Sequence, residues 1–146
     1  MSKNYSFIVS LFFTLLFSYS ISYSQTYGEI FSKSEADQEF GSVLESVTMS
    51  KTTLQGLLNQ TTDYIMFKIV NSKVIVLDEE RSVIYPSGTS VDSEDVFSMF
   101  SLSVVNSLLS QGTGTNVYVE QRSEVLSLTY GNYTMEIGAS CPPICD

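Results

Sequence analysis

Cys141 and Cys145 close the chain in the string Cys-Pro-Pro-Ile-Cys, two thiols with three residues between them. That spacing admits a local disulfide, a redox pair or half of a metal site. Thioredoxin-type pairs use two intervening residues at a helix start, and here three sit on a tail. Two thiolates without histidine leave zinc short of ligands. In an oxidising compartment the default is a disulfide that clips the tail, within the chain or to another chain.

Histidine is absent from the 146 residues. This removes Ser-His-Asp and Cys-His nucleophilic sites, imidazole general bases and the common zinc sites. Two carboxylate clusters remain, Asp78-Glu79-Glu80 and Asp92/Glu94/Asp95. Neither matches a calcium loop, and neighbours on a turn do not face each other across a cleft as glycoside hydrolysis requires. The first reads as a solvated turn and the second as a helix start matched to its dipole. No catalytic, cofactor or metal residue is assigned. Tyr118, Tyr130 and Tyr133 are the candidate contact surface. Tyr130 and Tyr133 flank a two-residue turn on one face, and tyrosine offers apolar area with a polar tip. The same residues would serve equally as cross-strand packing.

The first residues fix the compartment. Lys3 precedes an apolar run from Phe7 to Phe17, and Ser22 and Ser24 stand where a signal peptidase wants small side chains. The run is about eleven residues where a spanning helix needs roughly 20, so residues 1–24 read as a cleaved signal peptide. The protein is expected to be exported, to the periplasm, envelope or beyond, with no stable membrane insertion after cleavage. Sixteen acids against the six basic residues after Lys3 leave a net charge near −10. Such a chain repels nucleic acid and anionic membranes, and a basic partner suits it better.

Behind the signal, residues 25–39 read as a polar, extended leader, and residues 40–140 as one α+β domain ending in the 141–146 tail. A first strand fits Phe40 to Met49, with a helix over residues 33–44 as its rival. Ser50 caps a helix whose Leu54, Leu57 and Leu58 share a face. Strands follow over residues 64–70, 73–77 and 82–85. A second helix, capped at Asp92 or Ser93, carries the stripe Phe97, Phe100, Val104 and Leu108. Gly112 ends it in a left-handed conformation. Strands at 116–121, 124–130 and 133–137 complete the chain, the last two joined by a Gly131-Asn132 turn of type II′. Their half-polar pattern predicts a sheet covered on one face only.

The expected architecture is an antiparallel sheet of about five to seven strands with two helices on one face. The two halves align at an offset of fifty-one, as a diverged αβββ duplication would. These features favour an exported, non-catalytic interaction or structural module, a subunit of an envelope or extracellular assembly. It would take a protein partner, and self-association is compatible with it. The alternative is a small-ligand carrier or sensor with a pocket lined by Phe97, Phe100 and Leu126. A secreted hydrolase or peptidase inhibitor fits less well.

Overall fold

A computed structural model describes residues 25–142. The expected signal segment, residues 1–24, and Cys145 lie outside the described residues. The elements are β1 (Glu29–Ser32), α1 (Lys33–Glu39), β2 (Glu45–Ser50), α2 (Lys51–Leu58), β3 (Tyr64–Val70), β4 (Lys73–Leu77) and β5 (Val83–Tyr85). Then come β6 (Phe97–Ser101), α3 (Leu102–Gln111), β7 (Asn116–Gln121), β8 (Leu126–Tyr130), β9 (Tyr133–Glu136) and β10 (Ala139–Cys141). The α+β class stands, but the single sheet with two helices does not. The described residues form two five-stranded antiparallel sheets, ordered β1-β9-β8-β7-β2 and β10-β6-β3-β4-β5, with three helices.

The reason for two sheets is an exchange of strands. β2, separated from β3 by α2, pairs with β7, Val47 opposite Val119. β6 does the reciprocal and pairs with β3, Ile65 opposite Phe100. Both strands run straight into a helix, at N-cap residues Ser50 and Ser101, 51 positions apart. The same offset carries buried Leu54, Leu57 and Leu58 onto buried Val105, Leu108 and Leu109. A seam bond recurs as well, Lys51 N–H to Thr115 O at 2.8 Å and Leu102 N–H to Asp63 O at 2.9 Å, with its acceptors one position out of that offset.

Period-two patterning places the cores. Ile65, Phe67, Val74 and Val76 of one sheet meet Val117, Val119, Leu126 and Leu128 of the other, with α2 and α3, in one apolar cluster. The opposite face of β3, β4 and β6 is apolar as well. There Met66, Leu77, Phe97 and Met99 join Ala139 and Cys141 in a second cluster. The centre of this sheet is therefore buried on both faces, which is why β3 and β4 read as nearly continuous apolar runs.

Three local expectations change. The polar leader is ordered: Ser32 and Glu35 form a capping box at the start of α1, each accepting from the other's backbone N–H. The stretch from Phe97 to Ser101 is strand, not helix. Phe-Ser-Met-Phe-Ser is buried on both sides, so neither spacing leaves a polar face to decide between them. Asp92 and Asp95 instead close a turn, Asp92 N–H to Asp95 Oδ2 at 3.0 Å, and Lys68 holds the Asp95 carboxylate. Arg81 straps this loop down through the carbonyls of Ser93 and Asp95, 3.2 and 2.9 Å away.

Gly112 is not left-handed; its φ is −81° with extended ψ. It is glycine because a β-carbon there would sit 2.3 Å from the Tyr130 carbonyl oxygen. The turns obey their types: Asn71 and Ser72 both have positive φ, as a type I′ hairpin needs, while at 131–132 only Gly131 does. Replacing Gly112→Ala is expected to cost at least about 1–3 kcal/mol, since backbone cannot move aside as a side chain can. Urea unfolding of the variant checks this.

Candidate functional site

The half-polar hairpins do not leave an open sheet face. Thr129, Thr134, Ser127 and Glu136 point away from the apolar core, as the alternation requires, yet all are buried. α1 lies over them, with Ala36 fully covered at the contact. Phe31 and Phe40 meet edge to face at 5.4 Å beside it. The layer is held by internal partners. Thr129 Oγ1 donates to Glu120 Oε2 at 2.6 Å and shares a hydrogen bond with Thr134 Oγ1 at 3.0 Å.

Arg122 is the centre of that layer and is fully buried. Its Nη1 donates to Asp37 Oδ1 at 2.9 Å and to the Gly41 carbonyl, tying the C-terminal half of α1 and its exit to the sheet. Its Nε–H points at Ser127 Oγ, 3.4 Å away, while Glu136 Oε1 lies 2.9 Å from the same nitrogen. Burial pushes the Glu136 carboxyl above its ordinary range, with the Arg122 charge opposing. The Arg122 hydrogen bond holds Asp37 below its own. Sequence reading treated Arg122-Ser123 as a plain turn. The one signal available was an arginine at the end of an alternating strand whose polar face carries Glu120.

Glu79 was also missed. It reads as part of a solvated turn, but its carboxylate accepts from the Thr61 hydroxyl, from Thr62 N–H at 3.0 Å and from Thr62 Oγ1 at 2.6 Å. Burial works against the charged form; the hydrogen bonds outweigh it and lower the pKa from the ordinary 4.5 to about 2.

The three tyrosines separate. Tyr130 is in the core, its hydroxyl on the Gly114 carbonyl at 2.6 Å and Lys51 Nζ 4.9 Å from its ring. Tyr133 pairs with it and packs against the same core. Only Tyr118 is exposed, on the outer face beside Thr48 of β2. Cys141 is buried, with Arg81 Nη1 at 3.2 Å from its sulfur. Its expected pairing with Cys145 lies outside the described residues.

The surface feature that the fold leaves unfinished is the edge at β2. Lys51 N–H bonds to Thr115 O, so Ser46, Thr48 and Ser50 turn their backbone groups away from β7. In the other half, the equivalent residues are Phe97, Met99 and Ser101. β10 pairs with the first two, and Tyr27 O accepts from Ser101 N–H at 2.9 Å. No strand covers β2 among the described residues. Beside it runs a groove of about 380 Å³ floored by Val47, Met49, Val74, Tyr85 and Pro86, with Lys73 among its lining.

Among the described residues no three acids or thiols group to hold a metal, and no helix is long and apolar enough to cross a membrane. No protein-family model matches the chain, and no curated protein or solved structure shows significant similarity to it.

Arg122→Met is expected to destabilise the fold by about 3–5 kcal/mol, because Glu136 is left charged and unpaired inside. The loss should shrink in mild acid as Glu136 takes up a proton, and adding Glu136→Met should recover most of it. Urea titrations of both variants at neutral and mildly acidic pH decide. Glu79 carries the opposite sign. Its folded pKa of about 2 lies below the ordinary 4.5, so it adds stability above 4.5 that is lost as pH falls toward 2. A Glu79→Gln variant should show a flatter stability profile across that window.

Proposed function

We propose that the chain is an exported, non-catalytic interaction module that receives an extended segment of a partner along β2. One observation carries this reading: the β6 edge is covered by β10 and Tyr27, while among the described residues the matching backbone groups of β2 have no strand beside them. Edge strands that are not meant to pair carry proline, inward charge or a bulge, or are very short. β2 carries no proline, its one inward charge is Glu45 at its first position, and at six residues it is longer than the edges β1, β5 and β10. Strand addition gives affinity through the main chain and specificity through alternate side chains. Here those would enter the groove beside Val47 and Met49, with Tyr118 on the opposite face. The matching element order and the shared offset favour a diverged duplication in which each half donates its first strand to the other.

The carrier reading has less support. Phe97 and Phe100 lie on opposite faces of β6 and in different clusters, so they do not line one cavity.

Thr48→Pro tests the proposal, since it removes one outward N–H and no ladder bond to β7. Stability should stay within about 1 kcal/mol of the parent chain. The protein purified from its native envelope should run with a reproducible stoichiometric companion that the variant loses. A variant that keeps the companion would overturn the β2 assignment, and a parent chain that runs alone would overturn the module.

A further inference from the structure

At the opposite edge of the same sheet, the outer face of β1 and the end of α1 enclose a hollow of about 450 Å³. Its floor is apolar. Phe31 and Phe40 stand edge to face, and Ile137, about half exposed, forms part of the wall. Its charge has one sign: Glu29, Glu35 and Glu39 line it, and no lysine or arginine does. Glu39 and Phe40 also line an adjoining hollow to which Glu124 contributes.

The charge placement is unfavourable for the isolated fold. Glu39 ends α1, whose last turn holds no basic residue, so its charge adds to the negative end of the helix dipole. Glu35 is occupied by the capping box, with Ser32 hydrogen bonds holding its carboxyl below the ordinary range. Glu29 and Glu39 show no ion pair to any described residue. Aromatic faces and uncompensated carboxylates together favour a cation on an apolar stem.

We infer that this hollow receives a lysine or arginine side chain from an extended segment of a partner protein lying along the free edge of β1. The inference does not rest on the β2 reading. Charge decides the occupant. A second copy of this chain, with sixteen acids and seven basic residues, would bring more negative charge to a negative site. A metal ion would need three converging acidic or thiol ligands, and the described residues supply no such group. A strand on β1 places alternate side chains on the face that carries Glu29 and Phe31.

A short peptide of alternating threonine and lysine, added to the full chain, is the probe, with backbone amide shifts as the readout. Shifts should concentrate at residues 29–32 and 39–41. The double variant Glu29→Gln/Glu39→Gln, which leaves the capping box intact, should weaken binding about tenfold. The matching threonine–glutamate peptide should not bind. Equal affinity in the variant, or shifts spread over other acidic surfaces, would overturn the assignment. Lysine amide binding as tightly as the peptide would make the hollow a small-cation site and overturn the protein segment as its occupant.

Discussion

Each half of the chain gives its first strand to the other, and nearly everything else follows from that exchange. β2 completes the sheet built by β7, β8 and β9, and β6 completes the one built by β3, β4 and β5. Because each donated strand runs directly into a helix at Ser50 or Ser101, the helices are carried to the junction between the sheets. Leu54 and Leu108 then fall into one cluster with strands of both halves. Neither half has a core of its own. What appears as two sheets is one packing unit, closed by hydrogen bonds at Lys51 and Leu102 where the exchanged strands end.

Symmetry between the halves breaks at the edges, where the added pieces lie. β1 and α1 extend one sheet at β9, and β10 extends the other at β6. α1 does not rest on an apolar surface; it is tied by Arg122 to a layer of hydroxyls and carboxylates. Burying an ion pair such as Arg122–Glu136 costs desolvation that its attraction only partly repays, so this layer contributes position more than net stability. The apolar core supplies the stability, and Arg122 fixes where the helix sits. The polar strand face looks solvent-exposed in sequence because its partners are other polar groups.

Short elements with clear punctuation were legible. β3, β4 and β7 lie where alternation and turn residues place them, and α2 starts at its serine cap. The repeated order of helix and hairpin was visible, but the second turn lies at Ser123-Glu124, one position past the expected Arg122-Ser123, because Arg122 N–H bonds to Val125 O. The run around Phe97 was not legible, because a segment buried on both faces satisfies helical and extended spacing alike. α1 occupies the first part of the rival helix read over residues 33–44, starting at the Ser32/Glu35 pair. Gly112 was assigned the wrong reason, since close approach of Tyr130 is a tertiary fact with no local trace. The site features depend still more on distance. Arg122 and Asp37 are eighty-five positions apart, and nothing local to either predicts the contact.

The exchange also orders events in time. Glu45 pairs with Gln121, so β2 emerges during synthesis long before the strand that will receive it. Until then it has two open edges instead of one, and the loop that must close is most of the domain. Pairings of such long sequence separation form slowly, because the loop is closed before contacts repay it. A chain cut just before β7 holds β3, β4, β5 and β6 of one sheet but not the strand that anchors β2. The edge that β2 leaves open among the described residues is therefore the last remnant of a surface the nascent chain displays in full.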